Sequence, residues 1–473
     1  MEIILTRHKT TLQLYMNANN LFTFLKTCIA TVILSALCAT SSAQKNGKPN
    51  IIVILTDDMG YGDISCFNGA YKTPNIDQIA AKGRKFINYY SASPICSPSR
   101  AGLLTGTAPA KWNITSFLQK KADNKLCEQA DFLRADAPSV AKILHDNGYA
   151  TGHFGKWHMG GGRDVGNAPS IRQYGFDEYS STWESPDPDP LLTATDWIWS
   201  DKDSIKRWNR TAYFVDKTLM FLKKHKGQPC YINLWPDDVH TPWIGGDDKV
   251  GKYPGGPEEE KSFVTVLNEY DRQMGRLMSE LKKSGMDDNT IIIFTSDNGP
   301  LPNFRNDRSA GMRGSKLSLY EGGIKMPFIA RWPGHIPAGT QDTVSVLCAT
   351  DLLPTICSMA GVDLPENYHP DGEDKITVLL GKPATRKKEI YWEYGRNETS
   401  FKYPGGKNRS PSLAIRDGNW KLLMNKDESK IELYDMLRDK NETTNKATEN
   451  KAVVEKLSSK LLNWWNALPA LNP

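Results

Sequence analysis

The sequence predicts an α/β fold: a large, mostly parallel central sheet sandwiched by helices, with a small C-terminal α+β domain. Three observations carry this expectation. Asn50-Ile51-Ile52-Val53-Ile54-Leu55 and Thr290-Ile291-Ile292-Ile293-Phe294-Thr295 are short, β-branched and apolar on both faces, the pattern of strands buried inside a parallel sheet. Helix-length segments at 74–82, 139–147, 212–224 and 264–284 lie between them, and alternating strand and helix signals belong to α/β proteins. Past about residue 382 the texture shifts to short strands at 389–394, 412–416, 420–424 and 431–434. Asp417-Gly418 supplies a hairpin turn there, and 452–467 reads as a closing amphipathic helix.

At 473 residues the chain exceeds one small core, so a large domain with a smaller one is expected. The boundaries read as 1–43 for a leader, 44–382 for a catalytic domain and 383–473 for the C-terminal subdomain. In the leader, Lys26 precedes an apolar stretch at 27–39, and Ser41-Ser42-Ala43 offers a small-residue cleavage site before Gln44. Met16 is an alternative start that gives a more typical signal. The apolar stretch is too short for a comfortable membrane span, so a secreted or periplasmic protein without a transmembrane anchor is expected. Leu37 is a poor neighbour for lipidation at Cys38, so lipoprotein anchoring is not expected.

Hydrophobic residues make up 39% of the chain and charged residues 24%, an ordinary soluble composition. The 59 basic and 54 acidic side chains leave +5, and part of that excess (Arg7, Lys9, Lys26) falls in the leader. No dense Lys/Arg tract with interleaved aromatics exists, which argues against nucleic acid. Six cysteines follow the leader, at 66, 96, 127, 230, 348 and 357, with no Cys-x-x-Cys pair and hence no thiolate zinc pattern.

Several side chains stand where chemistry is expected. Asp57-Asp58 and Asp297-Asn298 each follow one of the two apolar strands, and open α/β sheets bind ligands beyond the carboxyl ends of their strands. These are oxygen donors only, suited to Ca²⁺ or Mg²⁺ rather than zinc; strand-end capping explains such pairs equally well. In Gly155-Lys156-Trp157-His158, the lysine and histidine reach one site if the loop curls; the bland alternative is a solvated lysine beside a packed histidine. His240 closes Asp237-Asp238-Val239-His240 after the apolar run 231–235. Lys316 sits between Gly314 and the Gly322-Gly323 pair, where backbone can approach a ligand closely. Cys96-Ser97-Pro98-Ser99-Arg100 reads locally as a proline-bearing loop around a cysteine.

Together these motifs resemble one family. Thr56-Asp57-Asp58-Met59-Gly60-Tyr61-Gly62-Asp63, the Cys96–Gly106 run, Gly155-Lys156-Trp157-His158, Ser296-Asp297-Asn298-Gly299, Tyr320-Glu321-Gly322-Gly323 and Ala414-Ile415-Arg416-Asp417-Gly418-Asn419-Trp420-Lys421-Leu422 occur in the order found in formylglycine-dependent type I sulfatases. These belong to the alkaline-phosphatase-like superfamily and include the arylsulfatase and N-acetylgalactosamine-6-sulfatase types. The resemblance implies that Cys96 is oxidised to formylglycine (3-oxoalanine), whose hydrate is the nucleophile, by a formylglycine-generating or anaerobic sulfatase-maturating enzyme. It implies one divalent cation, Ca²⁺ with Mg²⁺ as the alternative, on Asp57, Asp58, Asp297, Asn298 and the modified Cys96. Arg100 would fix the hydrate, Lys156 and Lys316 would bind sulfate oxygens, His158 would take a hydroxyl proton, and His240 would bind substrate and assist the leaving group. The one departure is Thr107, where the family often carries a basic residue.

Phosphonate or phosphodiester hydrolysis is the rival reading within the superfamily, and an inactive sulfated-glycan-binding protein is the rival outside enzymes. Leader and resemblance together imply a sulfated carbohydrate of glycosaminoglycan or mucin type, with a lean to 6-O-sulfated galactose or N-acetylgalactosamine. Trp183, Trp197, Trp199 and Trp208 cluster in a Pro/Asp-rich stretch, either as sugar-stacking surfaces or as packing under a long loop.

Overall fold

The computed structural model describes residues 47–246, 257–400 and 405–470; the leader at 1–43, with Met16 and Cys38, lies outside them. Twelve strands among the described residues form two sheets. The first holds β1 (Asn50–Thr56), β2 (Arg84–Tyr90), β3 (Ala150–Gly155), β4 (Glu178–Ser181), β5 (Cys230–Trp235), β6 (Thr290–Ser296), β7 (Lys325–Arg331) and β8 (Thr340–Cys348). Their order is β4-β3-β5-β1-β6-β7-β2-β8. Only β7 is antiparallel to its neighbours β6 and β2; every other pairing is parallel. The expected mostly parallel sheet is present.

The β1 and β6 runs lie at its centre, in register from Asn50↔Thr290 to Thr56↔Ser296. Alternate side chains enter opposite cores, as the two-residue period of a strand demands. Ile51, Val53, Ile291 and Ile293 join one apolar cluster. Ile52, Ile54, Ile292 and Phe294 join the other. Helices Cys96–Thr105, Val140–Asp146 and Leu352–Met359 bury residues in the first cluster. Helices Pro74–Ala81, Arg210–Lys224 and Pro257–Lys283 cover the second. Each fully buried isoleucine contributes about 1.5–3 kcal/mol, so a polar residue at any of these strand positions would be severely destabilising.

Two expectations change. Cys96–Thr105 is a helix, not a loop: Cys96 is its first residue, Ile95 is the extended cap and Gly106 ends it in the left-handed region at φ 65°. A proline at Pro98 costs nothing there, because first-turn N–H groups have no intrahelical partner. Strand β7 also escaped the sequence reading, because Pro327 interrupts its pattern; the proline sits where β2 and β7 slip register between Phe86 and Tyr89, a bulge that spares it a ladder bond.

The second sheet is antiparallel, in order β12-β11-β10-β9, from β9 (Ile390–Glu393), β10 (Leu413–Asp417), β11 (Trp420–Met424) and β12 (Glu432–Asp435). Asp417 pairs with Trp420, so Gly418-Asn419 makes the turn. One face packs Leu413, Ile415, Leu422 and Leu433 under Leu457 and Leu461 of helix Lys451–Asn466. The other face, with Trp392, Ala414 and Leu423, joins Tyr90, Ile95, Cys96 and Tyr320 of the larger unit. No helix among the described residues is long and apolar enough to cross a membrane.

Candidate active site

The parallel strands β1, β3, β5 and β6 end at one edge of the sheet. The residues that follow them are Asp57-Asp58, Lys156-Trp157-His158, Asp237 to His240, and Asp297-Asn298. Strand β2 ends at the same edge and leads into Cys96; β7, running the other way, begins there after Lys316. Every predicted site residue is therefore delivered to one place by the sheet.

Arg100 is fully buried and lies one helical turn beyond Cys96, on the same helix face. Its Nε and Nη2 donate to Asp297 Oδ2 at 3.0 and 2.7 Å, and its Nη1 donates to the Lys156 carbonyl at 2.7 Å. Asp57 Oδ1 lies 3.4 Å from Arg100 Nη2. Lys156 Nζ is 2.9 Å from Asp57 Oδ2, and Lys316 Nζ donates to Asp58 Oδ2 at 2.6 Å. Asn298 Nδ2 donates to Asp58 Oδ1 at 2.8 Å. His240 Nδ1 donates to the Thr241 carbonyl at 2.6 Å, leaving Nε2 to accept from Lys316 Nζ at 3.3 Å. The loop after β3 curls: His158 takes φ 52° in the left-handed region, and both it and Lys156 line the same cleft.

Burial and opposed charge set the protonation states. Burial works to raise Asp57, but Lys156, His240, Arg100 and Lys316 hold it well below the usual carboxylate range. Burial raises Asp297 to about 8, since Asp57, Cys96 and Asp58 add to it and Arg100 only partly opposes. Burial also pushes the Cys96 thiol up, against the pull of Lys156 and Lys316. An unmodified Cys96 is thus a protonated thiol and a poor nucleophile. His158 is pushed down to about 3 and His240 to about 4, both chiefly by burial.

The donor set fits a hard cation. Both Asp57 oxygens and Asn298 Oδ1 are buried without a directional hydrogen bond, and buried polar atoms are ordinarily satisfied. Oδ1 of Asp297 stays free of Arg100 and accepts only from the Asp58 backbone N–H, at 3.2 Å. One ligand atom each from Asp57, Asp58 and His240 can lie within 4.8 Å of one another. His240 already has partners on both ring nitrogens, so the oxygens of the two acid pairs suit the ion better.

A cleft of about 800 Å³ opens over these groups, with Cys96, Lys156, His158, His240 and Lys316 on its wall. Trp183 and Trp197 line it too, whereas Trp199 and Trp208 do not. Comparison with known proteins decides the family. The description "Sulfatase" matches residues 49–362.

The chain belongs to the sulfatase family.

A second description, "N-sulphoglucosamine sulphohydrolase, C-terminal", matches residues 315–466 of this sulfatase. It is 28% identical to an N-acetylgalactosamine-6-O-sulfatase of Bacteroides thetaiotaomicron, over 89% of this chain and 94% of that one. It is 30% identical to human arylsulfatase A, over 76% and 73%. Among solved structures, Ps i-CgsB superposes with a TM-score of 0.74 at 27% identity, covering 90% of this chain and 94% of that one. The sulfatase is a sulfuric ester hydrolase.

Sequence reasoning missed Glu184. It sits in the cleft wall, 3.3 Å from His158 Nε2, 3.6 Å from Lys156 Nζ and 2.9 Å from Arg163 Nη2. Burial works to raise it, but His158, Lys156, Arg163 and His240 hold it down at about 2. No spacing rule flags it, because all three partners lie at least 21 positions away. The six cysteines after the leader are all free.

Proposed function

We propose that this sulfatase is secreted or periplasmic and removes O-sulfate from a carbohydrate, with 6-O-sulfated galactose or N-acetylgalactosamine as the preferred unit. The observation that carries the reading is the convergence of Cys96, Arg100, two lysines and two histidines on the acid pairs at one sheet edge. Carbohydrate is supported by Trp197, which is 58% exposed at the cleft. A large exposed aromatic beside reactive groups offers a flat face for a sugar ring. Trp183 backs it at 5.6 Å and donates its indole N–H to Asp196. The relative from B. thetaiotaomicron is named for N-acetylgalactosamine-6-O-sulfate, and the structure of Ps i-CgsB is also recorded with a neocarrahexaose.

The chemistry follows from charge. A sulfate monoester is an anion, and Lys156 and Lys316 offset that charge at the cleft wall, as do the fixed positive groups of other anion-transferring sites. The hydrate of formylglycine at position 96, installed by a dedicated maturating enzyme, carries two hydroxyls on one carbon. One attacks sulfur and displaces the ester alcohol; the other then loses its proton and becomes the aldehyde oxygen as the C–O bond to sulfate breaks, and water restores the hydrate. Asp57, Asp58, Asp297 and Asn298 would hold the cation, taken as Ca²⁺, which supplies a Lewis acid for the charged groups. Arg100 fixes the helix start against Asp297. His158 accepts the hydroxyl proton. His240, hydrogen-bonded to Lys316, stands at the cleft to bind substrate and assist the leaving group.

The test is hydrolysis of a chromogenic aryl sulfate against the matching aryl phosphate, with and without chelator. The reading expects sulfate hydrolysis that chelation abolishes. Equal or better phosphate hydrolysis would overturn it, as would mass spectrometry showing only unmodified thiol at Cys96 in active protein from its native host.

A further inference from the structure

The buried ring of His158 has an unequal environment at its two nitrogens. Nε2 lies 3.3 Å from the Leu118 carbonyl and 3.3 Å from Glu184 Oε1. Both neighbours are acceptors, so a neutral ring carries its hydrogen on Nε2. Nδ1 is buried with no protein partner, which leaves its lone pair as the open proton acceptor. The histidine backbone N–H also donates to the Glu184 carbonyl at 2.9 Å. Arg163 Nη2 donates to that same oxygen, Oε1, at 2.9 Å and lies over the Trp183 ring at 4.6 Å. The Glu184 carboxylate is therefore held in place by more than the His158 ring.

The charges around the ring make the carboxylate necessary. Burial opposes a positive charge at His158 most strongly, Lys156, Arg100 and Arg163 oppose it too, and Glu184 favours it. A buried imidazole facing three cations is a poor base unless an anion stabilises the imidazolium. A carboxylate behind the ring does that in hydrolytic triads, orienting the histidine without taking its proton.

We propose that Glu184 is the positioning residue that offsets part of what burial and the surrounding cations cost His158 as a proton acceptor, by holding the ring with the Leu118 carbonyl and by stabilising the imidazolium formed at Nδ1. In the step concerned, an O–H bond of a hydroxyl at position 96 breaks. The proton goes to Nδ1, the electron pair stays on oxygen, and the new positive charge faces Glu184 across the ring. This rests on the formylglycine reading of Cys96.

The experiment has two arms. In full-length ¹⁵N-labelled protein carrying Cys96→Ala, the ring nitrogens of His158 report tautomer and protonation without turnover. The Nε2–H tautomer is expected. Adding Glu184→Gln should keep that tautomer, through Leu118, and move imidazolium formation down by about one pH unit or more. In the matured enzyme, Glu184→Gln should lower kcat on an aryl sulfate by on the order of 10²-fold with KM little changed. Glu184→Asp, which keeps the charge on a shorter arm, should retain more activity than Gln. Arg163→Gln, which removes the other partner of Oε1 and leaves the carboxylate, should lose less. The proposal is overturned if Glu184→Gln leaves both the His158 titration and kcat unchanged, or if Arg163→Gln loses as much as Glu184→Gln. A wild-type enzyme inactive on all sulfate esters would sink the sulfatase reading instead, and the ring-nitrogen arm would still decide on Glu184.

Discussion

Two buried charge networks meet the chain on either side of Tyr320 in the sequence, one through Lys316 and the other through Glu321, and they are built differently. Below it, the reactive edge packs Asp57, Asp58, Asp297, Lys156, Lys316 and Arg100 against a cleft, with carboxylate and amide oxygens left over. Above it, Lys421 from β11 is fully buried and shared by Glu321 at 3.0 Å and Glu442 at 2.7 Å. Glu321 Oε2 also accepts from the Tyr90 hydroxyl at 2.8 Å, and its backbone N–H donates to Glu442 Oε2 at 2.7 Å. None of these three charged residues lines the cleft. The upper network opens on no part of that cleft and fastens the second sheet to the segment that follows Lys316. The lower one is open, and its pairs are free to exchange partners with a ligand. Buried ion pairs are weak evidence of stability but costly to break, so the two networks should respond differently to the same kind of damage.

The sharpest break is Lys421→Met, which strands two buried carboxylates. It should cost about 3–5 kcal/mol of stability, read as a large fall in Tm, while the kcat of the molecules still folded stays near wild type. Equal loss of kcat would mean that the upper network also takes part in chemistry. Lys316→Ala should do the reverse. Losing one preorganised charge at the reacting anion costs on the order of 10²–10³ in kcat, with Tm in Ca²⁺ close to wild type. Removing the cation should come next. Ca²⁺ at 100 times its Kd adds about 2.7 kcal/mol to stability, so chelation should lower Tm in the wild type but not in Asp57→Asn. The smallest effect belongs to the rim. Trp197→Ala should weaken kcat/KM on a sulfated oligosaccharide by roughly 3- to 10-fold, the scale of one aromatic contact, and leave a small aryl sulfate unaffected.

The lower network was the more legible of the two in sequence. Its acids follow continuous apolar strands, a local pattern that survives without neighbours. The Cys96–Thr105 helix was not legible as a helix, because all ten of its residues are buried. A segment with no exposed face carries no amphipathic period. Strand β3, Ala150-Thr151-Gly152-His153-Phe154-Gly155, was equally silent: two glycines and a histidine hide a fully buried strand. Glu184 and Lys421 have meaning only through partners 21 to 100 positions away. Contacts made by the finished fold leave no periodicity to read.

The reversed strand β7 has a consequence for the order in which the molecule comes into being. Since β7 starts at the reactive edge, Lys316 docks from the segment leading into it, 258 positions after Asp58. Such distant pairings close late, because the chain entropy of a long loop must be overcome first. A chain that has emerged from the ribosome only as far as β6 holds the strand-end acids without the lysine that meets Asp58. The catalytic edge therefore cannot be completed before that segment has been made, and a nascent or truncated chain ending before Lys316 carries the ingredients of the site but not its balance of charge.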